Sequence, residues 1–186
     1  TDYEGNSLRT FYIDKKGYIW FGTIDGIYIF DPTDGKLSHY KHSRTDPFSL
    51  PTNSIWEISE DRQSNVWIGT YSGTLCYVNI DENNAFKTYH PQNSGLNHTP
   101  VSAFAEDQQY LWVGTEGGGI NRMNKATGEF SYITSANSIT SNNIKSLITD
   151  AGHNLWISTF MGGLDLYNVG RQKVTNFKPV SYTHLR

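Results

Sequence analysis

One pattern occurs four times along the chain and constrains its fold more than any other feature. Tryptophan recurs at intervals of 47, 45 and 44 residues, at Trp20, Trp67, Trp112 and Trp156. Each is followed three residues later by threonine and shortly afterwards by glycine: Thr23, Thr70, Thr115 and Thr159, then Gly26, Gly73, Gly118 and Gly163. Self-similarity at such a period is typical of repeat architectures. We therefore predict four copies of one supersecondary unit.

Each unit contains four short apolar stretches separated by turn residues. In the second unit the stretches read SIWEISED, VWIGTY, TLCYVNI and AFKTYH. They are rich in β-branched and aromatic residues, and the breaks between them carry Gly, Asn, Asp or Ser, which is the signature of strands and turns. None of them sustains a helical period. Each unit is therefore predicted to form a four-stranded antiparallel meander.

The residue pattern makes both faces of such a sheet apolar. In the stretch IWFGT, Ile19 and Phe21 point to one side and Trp20 and Gly22 to the other. A sheet with two apolar faces must lie between neighbours, and radial stacking of four-stranded sheets gives a β-propeller. The expected fold is all-β, with tryptophan between adjacent blades and glycine leaving room for it.

The predicted blades span residues 1–42, 43–90, 91–133 and 134–178. Residues 179–186 begin a further repeat or form an added tail. Four blades give either a small closed ring or an arc of a larger one. An arc would expose two apolar sheet faces, and we expect these to drive self-association.

Composition excludes several classes of function. The chain has 186 residues, of which 37% are hydrophobic, so it can bury a core. Its formal net charge of -3, without a cluster of Lys and Arg, argues against nucleic acid as a partner. Cys76 is the single cysteine, so an internal disulfide is impossible. No apolar run is long enough to cross a bilayer.

The repeated motif D-x-x-G-x-[IVL]-W-[IVF]-G-T-x-x-G-[GT]-[IL] resembles the two-component regulator propeller repeat. It stands here at Asp14–Ile27, Asp61–Leu75, Asp107–Ile120 and Asp150–Leu164. Single positions depart from it: Ser158 replaces the glycine before threonine, Ser64 replaces the turn glycine, and Asp25 and Ser72 replace the first glycine of the later pair.

The resemblance implies part of a periplasmic sensor from a hybrid two-component system of Bacteroidetes. In that family about fourteen repeats form two seven-bladed rings, and a membrane helix and a histidine kinase follow. The usual ligands are oligosaccharides. By resemblance, this chain is an arc of such a ring, non-catalytic and without a cofactor, and its partners are an oligosaccharide and the remaining blades of the parent sensor.

Residues that recur in every blade are most simply requirements of folding. The aspartates Asp14, Asp61, Asp107 and Asp150 either form a ring of carboxylates around a cation or bind the backbone of their own turns. We favour the turn interpretation. The tryptophans likewise either stack on sugars or fill the space between blades, and their apolar surroundings favour the second.

Positions that differ between blades are the better candidates for a ligand site. Loops joining the second and third strands carry Asp25, Tyr71, Glu116 and Phe160. Rings suit the apolar face of a sugar and carboxylates accept hydrogen bonds from its hydroxyls. The long loop KHSRTDPFSLPTN adds Arg44, which suits a carboxylate, and Asp46. Function concentrates on such loops, and those between blades are expected to open to the same face.

Signals for catalysis are weak, and we predict neither catalytic residues nor a metal site. His39 and His42, three apart on a predicted strand, would point to opposite faces. Two alternatives remain: a propeller enzyme resembling streptogramin lyase, which needs a metal and a histidine base, and a structural or protein-binding propeller resembling WD40 rings.

Overall fold

The computed structural model describes residues 7–71, 74–79 and 85–177. These residues form four four-stranded antiparallel sheets and contain no helix, so the all-β prediction is confirmed. Accordingly, the described part of the chain holds no helix with the length and apolar character of a membrane span. The predicted segment 179–186 lies outside the described residues.

Each sheet is a meander of four consecutive strands. Sheet 1 contains β1 (Leu8–Ile13), β2 (Ile19–Thr23), β3 (Gly26–Asp31) and β4 (Lys36–Tyr40). Sheet 2 contains β5 (Ile55–Glu60), β6 (Val66–Thr70), β7 (Leu75–Val78) and β8 (Lys87–Tyr89). Sheet 3 contains β9 (Val101–Glu106), β10 (Tyr110–Thr115), β11 (Gly119–Asn124) and β12 (Phe130–Ile133). Sheet 4 contains β13 (Ile144–Thr149), β14 (Asn154–Thr159), β15 (Gly163–Asn168) and β16 (Lys173–Phe177).

The first strands of the four sheets form the hub of a β-propeller. Strand β1 packs against β5, β5 against β9, and β9 against β13. The later strands of each sheet lie progressively farther from the hub. Each sheet falls within one of the four predicted units, although the boundaries of those units stay a prediction.

Three apolar clusters lie between the four sheets, one at each interface. The face of one sheet that bears the tryptophan packs on the opposite face of the next. At the first interface Trp20 and Ile27 of sheet 1 meet Ile58 and Ile68 of sheet 2. A buried aliphatic residue five positions before each following sheet completes the three clusters: Leu50, Leu96 and Ile139. The sheets are therefore apolar on both faces, as the sequence predicts.

A hydrogen bond between aspartate and tryptophan recurs in every blade. The indole nitrogen of Trp20 donates to Asp14 Oδ2 at 2.8 Å, and that of Trp67 donates to Asp61 Oδ2 at 2.7 Å. The other two blades repeat the bond at 3.0 Å, between Trp112 and Asp107 and between Trp156 and Asp150. It satisfies the one polar group of a large ring that is buried between sheets.

The other carboxylate oxygen of each aspartate binds the turn between the first two strands. Asp14 Oδ1 accepts hydrogen bonds from the backbone nitrogens of Lys16 and Tyr18. The turn interpretation is thus confirmed, and the indole bond adds a role that the sequence analysis missed. Ser64 has a φ of 64° where the first blade has glycine, so this departure from the motif keeps the left-handed turn at some cost in strain.

Glycine before threonine allows adjacent sheets to approach closely. A Cβ atom on Gly69 would lie 2.8 Å from both Cγ1 and the carbonyl oxygen of Val101 in the next sheet. Gly22 and Gly114 face Ile55 and Ile144 in the same way. At the equivalent position of sheet 4 stands Ser158, on a face that no further described sheet covers.

The two outermost faces of the stack are apolar and exposed, so the four blades form an open arc. Phe11 in sheet 1 is 65% exposed, whereas its equivalents Ile58, Phe104 and Leu147 are buried by preceding sheets. On the opposite face of sheet 4, Ile148 is 64% exposed. Trp156 is the least covered of the four repeated tryptophans, because no sheet among the described residues packs on its outer face.

Removing the aspartate should destabilise the protein more than removing an ordinary turn aspartate. In Asp61→Ala, the buried Trp67 indole and the backbone nitrogens of Gln63 and Asn65 lose their acceptor. We expect a loss of about 2–4 kcal/mol in the free energy of unfolding, measured by urea denaturation. Asp34→Ala is the control, because Asp34 binds only the exposed backbone of Lys36. Equal losses in the two variants would contradict the structural role of the indole bond.

A methyl group at the glycine position should be costly between sheets and harmless at the end of the stack. Gly69→Ala forces Val101 away, and overpacking of this kind costs about 1–3 kcal/mol of unfolding free energy. Ser158→Ala at the equivalent, uncovered position should change stability by no more than about 0.5 kcal/mol. Both are measured by urea denaturation. A Gly69→Ala variant as stable as the parent chain would refute the close approach.

Candidate ligand-binding site

The tight loops between second and third strands and the connections between sheets share one end of the propeller. The backbone nitrogen of Gly26 donates to Asn53 O, and that of Tyr71 donates to Ser54 O. The same pairing recurs at the fourth sheet, from Phe160 to Asn143. We call this the loop end of the hub; the aspartate turns, at the other end of the same strands, lie opposite. Both kinds of loop therefore open to the same face, as predicted.

A β-bulge interrupts the first strand of every sheet at its second residue. Pairing skips one residue between Leu8 and Thr10, and likewise in β5, β9 and β13. The bulged residues are Arg9, Trp56, Ser102 and Lys145. A bulge redirects a side chain out of the regular alternation and is common beside functional sites. The same bulge in each blade thus places a different side chain at the loop end of the hub.

In the first two blades, the bulged residues meet a predicted site residue. The ring of Trp56 stacks on that of Tyr71 with a centroid distance of 5.3 Å. The guanidinium carbon of Arg9 lies 5.0 Å from the Trp56 ring centroid and 5.7 Å from that of Tyr71. The three groups form a compact triangle, in which Tyr71 is still 51% exposed.

In the last two blades, Lys145 joins two predicted site residues. Its ammonium group forms an ion pair with Glu116 and lies 5.5 Å from the ring centroid of Phe160. Phe160 is 54% exposed. The remaining bulged residue, Ser102, donates its hydroxyl to Ile144 O at 2.7 Å and is buried, so it joins sheets 3 and 4.

The predicted site residue Asp25 already has local partners. Its carboxylate lies 2.6 Å from the Lys41 ammonium group, and its carbonyl oxygen bonds to His39 Nε2 at 2.8 Å. These contacts join the loop to the outer strand β4 and the residue after it. Asp25 therefore stands in a half-exposed ion pair at the edge of sheet 1.

Arg44 and Asp46 lie in a different place, in a groove formed by the long connection between sheets 1 and 2. The groove has a volume of about 510 Å³ and is also lined by Thr88 and His90 of the outer edge of sheet 2. Asp46 Oδ1 accepts the backbone nitrogen of Phe48 at 2.9 Å. No contact in the described residues joins this groove to Tyr71, Glu116 or Phe160.

Two of the histidines and the cysteine are held by the surrounding structure. His39 and His42 each bond to a backbone carbonyl, of Asp25 and Leu50. The prediction that His42 lies on a strand is wrong, because β4 ends at Tyr40. Burial raises the pKa of the Cys76 thiol, so it stays protonated and unreactive. No group of three potential metal ligands occurs in residues 7–71, 74–79 and 85–177.

Arg9, Trp56 and Lys145 contact predicted site residues but were not predicted from the sequence. They lie on strands, whereas the predicted candidates all lie on loops. One signal was available, since the chain has five tryptophans and only four of them fit the repeat. Trp56 is the tryptophan that does not fit the repeat, and the other blades carry Arg, Ser and Lys at its position.

Comparison with known protein families agrees with this repeat structure. The model of the two-component regulator propeller matches residues 2–25, 49–72 and 95–117. Each match covers the first two strands of a blade. The recognition made from the repeated motif is therefore confirmed.

Related proteins are much longer than this chain. Histidine kinase P4 of Formosa agariphila is 26% identical over 186 aligned positions, which cover 91% of this chain and 13% of that protein. The extracellular domain described for a hybrid two-component system of B. thetaiotaomicron superposes with a TM-score of 0.82 at 23% identity, over 94% of this chain and 24% of that one. The WD40 repeats of RRP9 give 0.71 at 11% identity, over 95% of this chain and 52% of theirs. These two likenesses establish the propeller fold.

Proposed function

Because this chain carries two-component regulator propeller repeats, we propose that it is a ligand-sensing segment of a hybrid two-component sensor. The segment binds its ligand without chemical turnover and passes the signal to a histidine kinase elsewhere in the parent protein. Its location is periplasmic. The similarity to a histidine kinase and to an extracellular sensor domain supports this assignment.

The proposed ligand is an oligosaccharide, bound at the loop end of the hub. The observation that carries this proposal is the stacked pair of the half-buried Trp56 and the exposed Tyr71 beside a cation. Aromatic surface with a few polar groups is the usual composition of a small-molecule site. A sugar ring lays its C–H face on such aromatic surface, and its hydroxyls bond to charged groups of the kind that Glu116 and Lys145 supply.

Binding of an oligosaccharide should be saturable and should depend on the aromatic pair. We expect Trp56→Ala and Tyr71→Ala each to weaken binding by about tenfold or more, because stacking area is lost from a half-desolvated site. The measurement is isothermal titration calorimetry with the oligosaccharides that bind the unaltered chain in a glycan array. Product analysis by mass spectrometry should show the sugars unchanged.

Phe48→Ala is the matched control, since Phe48 is an exposed ring in the connection between sheets 1 and 2. It should bind as the unaltered chain does. Binding that survives loss of both hub rings would place the ligand elsewhere, for example in the groove of Arg44 and Asp46. Metal-dependent conversion of the sugar would support the enzyme alternative instead.

The exposed outer faces of sheets 1 and 4 are proposed to pack against further blades of the parent sensor. They are the two halves of the interface that occurs three times inside the chain: a tryptophan-bearing face and an aliphatic or aromatic face. When the flanking blades are absent, sheet 1 of one copy can receive sheet 4 of another.

The 186-residue chain should therefore associate head to tail in a concentration-dependent manner. Phe11→Ser and Ile148→Ser remove exposed apolar surface from the two faces and should each favour the monomer without loss of unfolding free energy. Sedimentation velocity over a range of concentrations measures the change. A chain that stays monomeric at the highest soluble concentration would contradict the proposed docking of blades.

A further inference from the structure

Charge at the loop end of the hub is unevenly compensated. Lys145 is paired with Glu116, and Lys41 is paired with Asp25. Arg9, by contrast, has no carboxylate partner and makes no side-chain hydrogen bond among the residues that the structure describes; its contacts there are the rings of Trp56 and Tyr71. Its positive charge is exposed beside the aromatic surface assigned to the sugar.

We propose that the hub recognises an acidic oligosaccharide, whose carboxylate or sulfate group is bound by the Arg9 guanidinium. The inference rests on the proposed function, because it names the class of oligosaccharide that the same site takes. An exposed guanidinium with free N–H groups forms a bidentate pair with a carboxylate or sulfate group, and it does so with greater geometric selectivity than a lysine.

The surroundings of Arg9 favour a role in binding an anion over that of an ordinary solvated surface arginine. The bulge takes Arg9 out of the alternation of β1, and two rings from the neighbouring blade hold its guanidinium. A guanidinium held by cation–π contacts loses less conformational entropy when it binds an anion than a freely moving side chain does. A sugar ring on Tyr71 would place an acidic substituent within reach of Arg9, because the two side chains are already in contact.

The bulged residues of the four blades differ in whether they can bind an anion. At the same bulged position the other blades present tryptophan, serine and lysine. Ser102 is used between sheets and Lys145 is neutralised by Glu116. Among the residues that the structure describes, Arg9 is therefore the one charged bulged residue without an acidic partner. The first two blades, with Trp56 and Tyr71, form the anion-selective part of the hub.

A glycan array with neutral, uronate-containing and sulfated oligosaccharides tests the proposal on the 186-residue chain. We expect the bound glycans to be acidic. The strongest binder is then titrated by calorimetry beside its carboxyl-reduced or desulfated form. The acidic form should bind at least about tenfold more tightly, and its affinity should fall as salt is raised.

Variants of Arg9 separate the anion contact from the sugar contact. Arg9→Gln should remove the preference for the acidic form. Arg9→Lys keeps the positive charge but cannot form the bidentate pair, so it should retain only part of the preference. Arg171→Gln is the control, because Arg171 is exposed in the loop between β15 and β16 at the opposite end of the propeller. That variant should bind as the unaltered chain does. Urea denaturation confirms that each variant is folded.

The outcomes distinguish failure of the acidic specificity from failure of oligosaccharide sensing. Equal affinity for acidic and neutral forms, unchanged in Arg9→Gln, overturns the acidic specificity and leaves oligosaccharide sensing in place. Preference for acidic sugars that Arg9→Gln keeps but Arg171→Gln loses would also overturn it, since the anion would then bind elsewhere. An array without any bound glycan overturns both proposals.

Discussion

The fold depends on one contact that is made three times: the face of a sheet that bears both tryptophan and glycine packs against the first strand of the next sheet. Each tryptophan is a large ring with one polar atom, and burying it requires both an acceptor and space. The aspartate in the turn before the tryptophan strand supplies the acceptor, as Asp61 does for Trp67. Gly69 supplies the space beside Val101. Because tryptophan, aspartate and glycine serve one buried contact, the three residue types recur together in sheets 1, 2 and 3.

Most of this scaffold can be predicted from the sequence because the requirement repeats. A period near 45 residues, strand-like stretches and two apolar faces lead to stacked four-stranded sheets without knowledge of any contact. The second role of the aspartates was not predictable in the same way. From the sequence, binding of its own turn is a sufficient reason for Asp14. Only the distance from its Oδ2 to the Trp20 indole nitrogen shows that Asp14 also accepts a hydrogen bond from this buried ring.

The candidate site was harder to predict, for a reason that lies in the backbone. A bulge is a local shift in register, which leaves no fixed mark in the sequence. Arg9, Trp56 and Lys145 therefore look like ordinary strand residues, although the bulge turns them towards Tyr71, Glu116 and Phe160. The loop residues were found because loops are recognisable. Arg44 and Asp46 were grouped with them by the same rule, yet the long connection carries this pair to an outer groove.

Bulges also explain how one repeat can serve both stability and recognition. The interface between blades uses the regularly alternating positions of each strand, so these are restricted to residues that pack. The bulged position lies outside that alternation, and in three of the four blades it holds Arg, Trp or Lys at the loop end, while Ser102 bonds to the next sheet. Under the proposed function, substitution at this one position per blade would change the ligand without changing the scaffold. In this chain, that freedom places a cation and an aromatic pair side by side at the hub, where neighbouring blades meet.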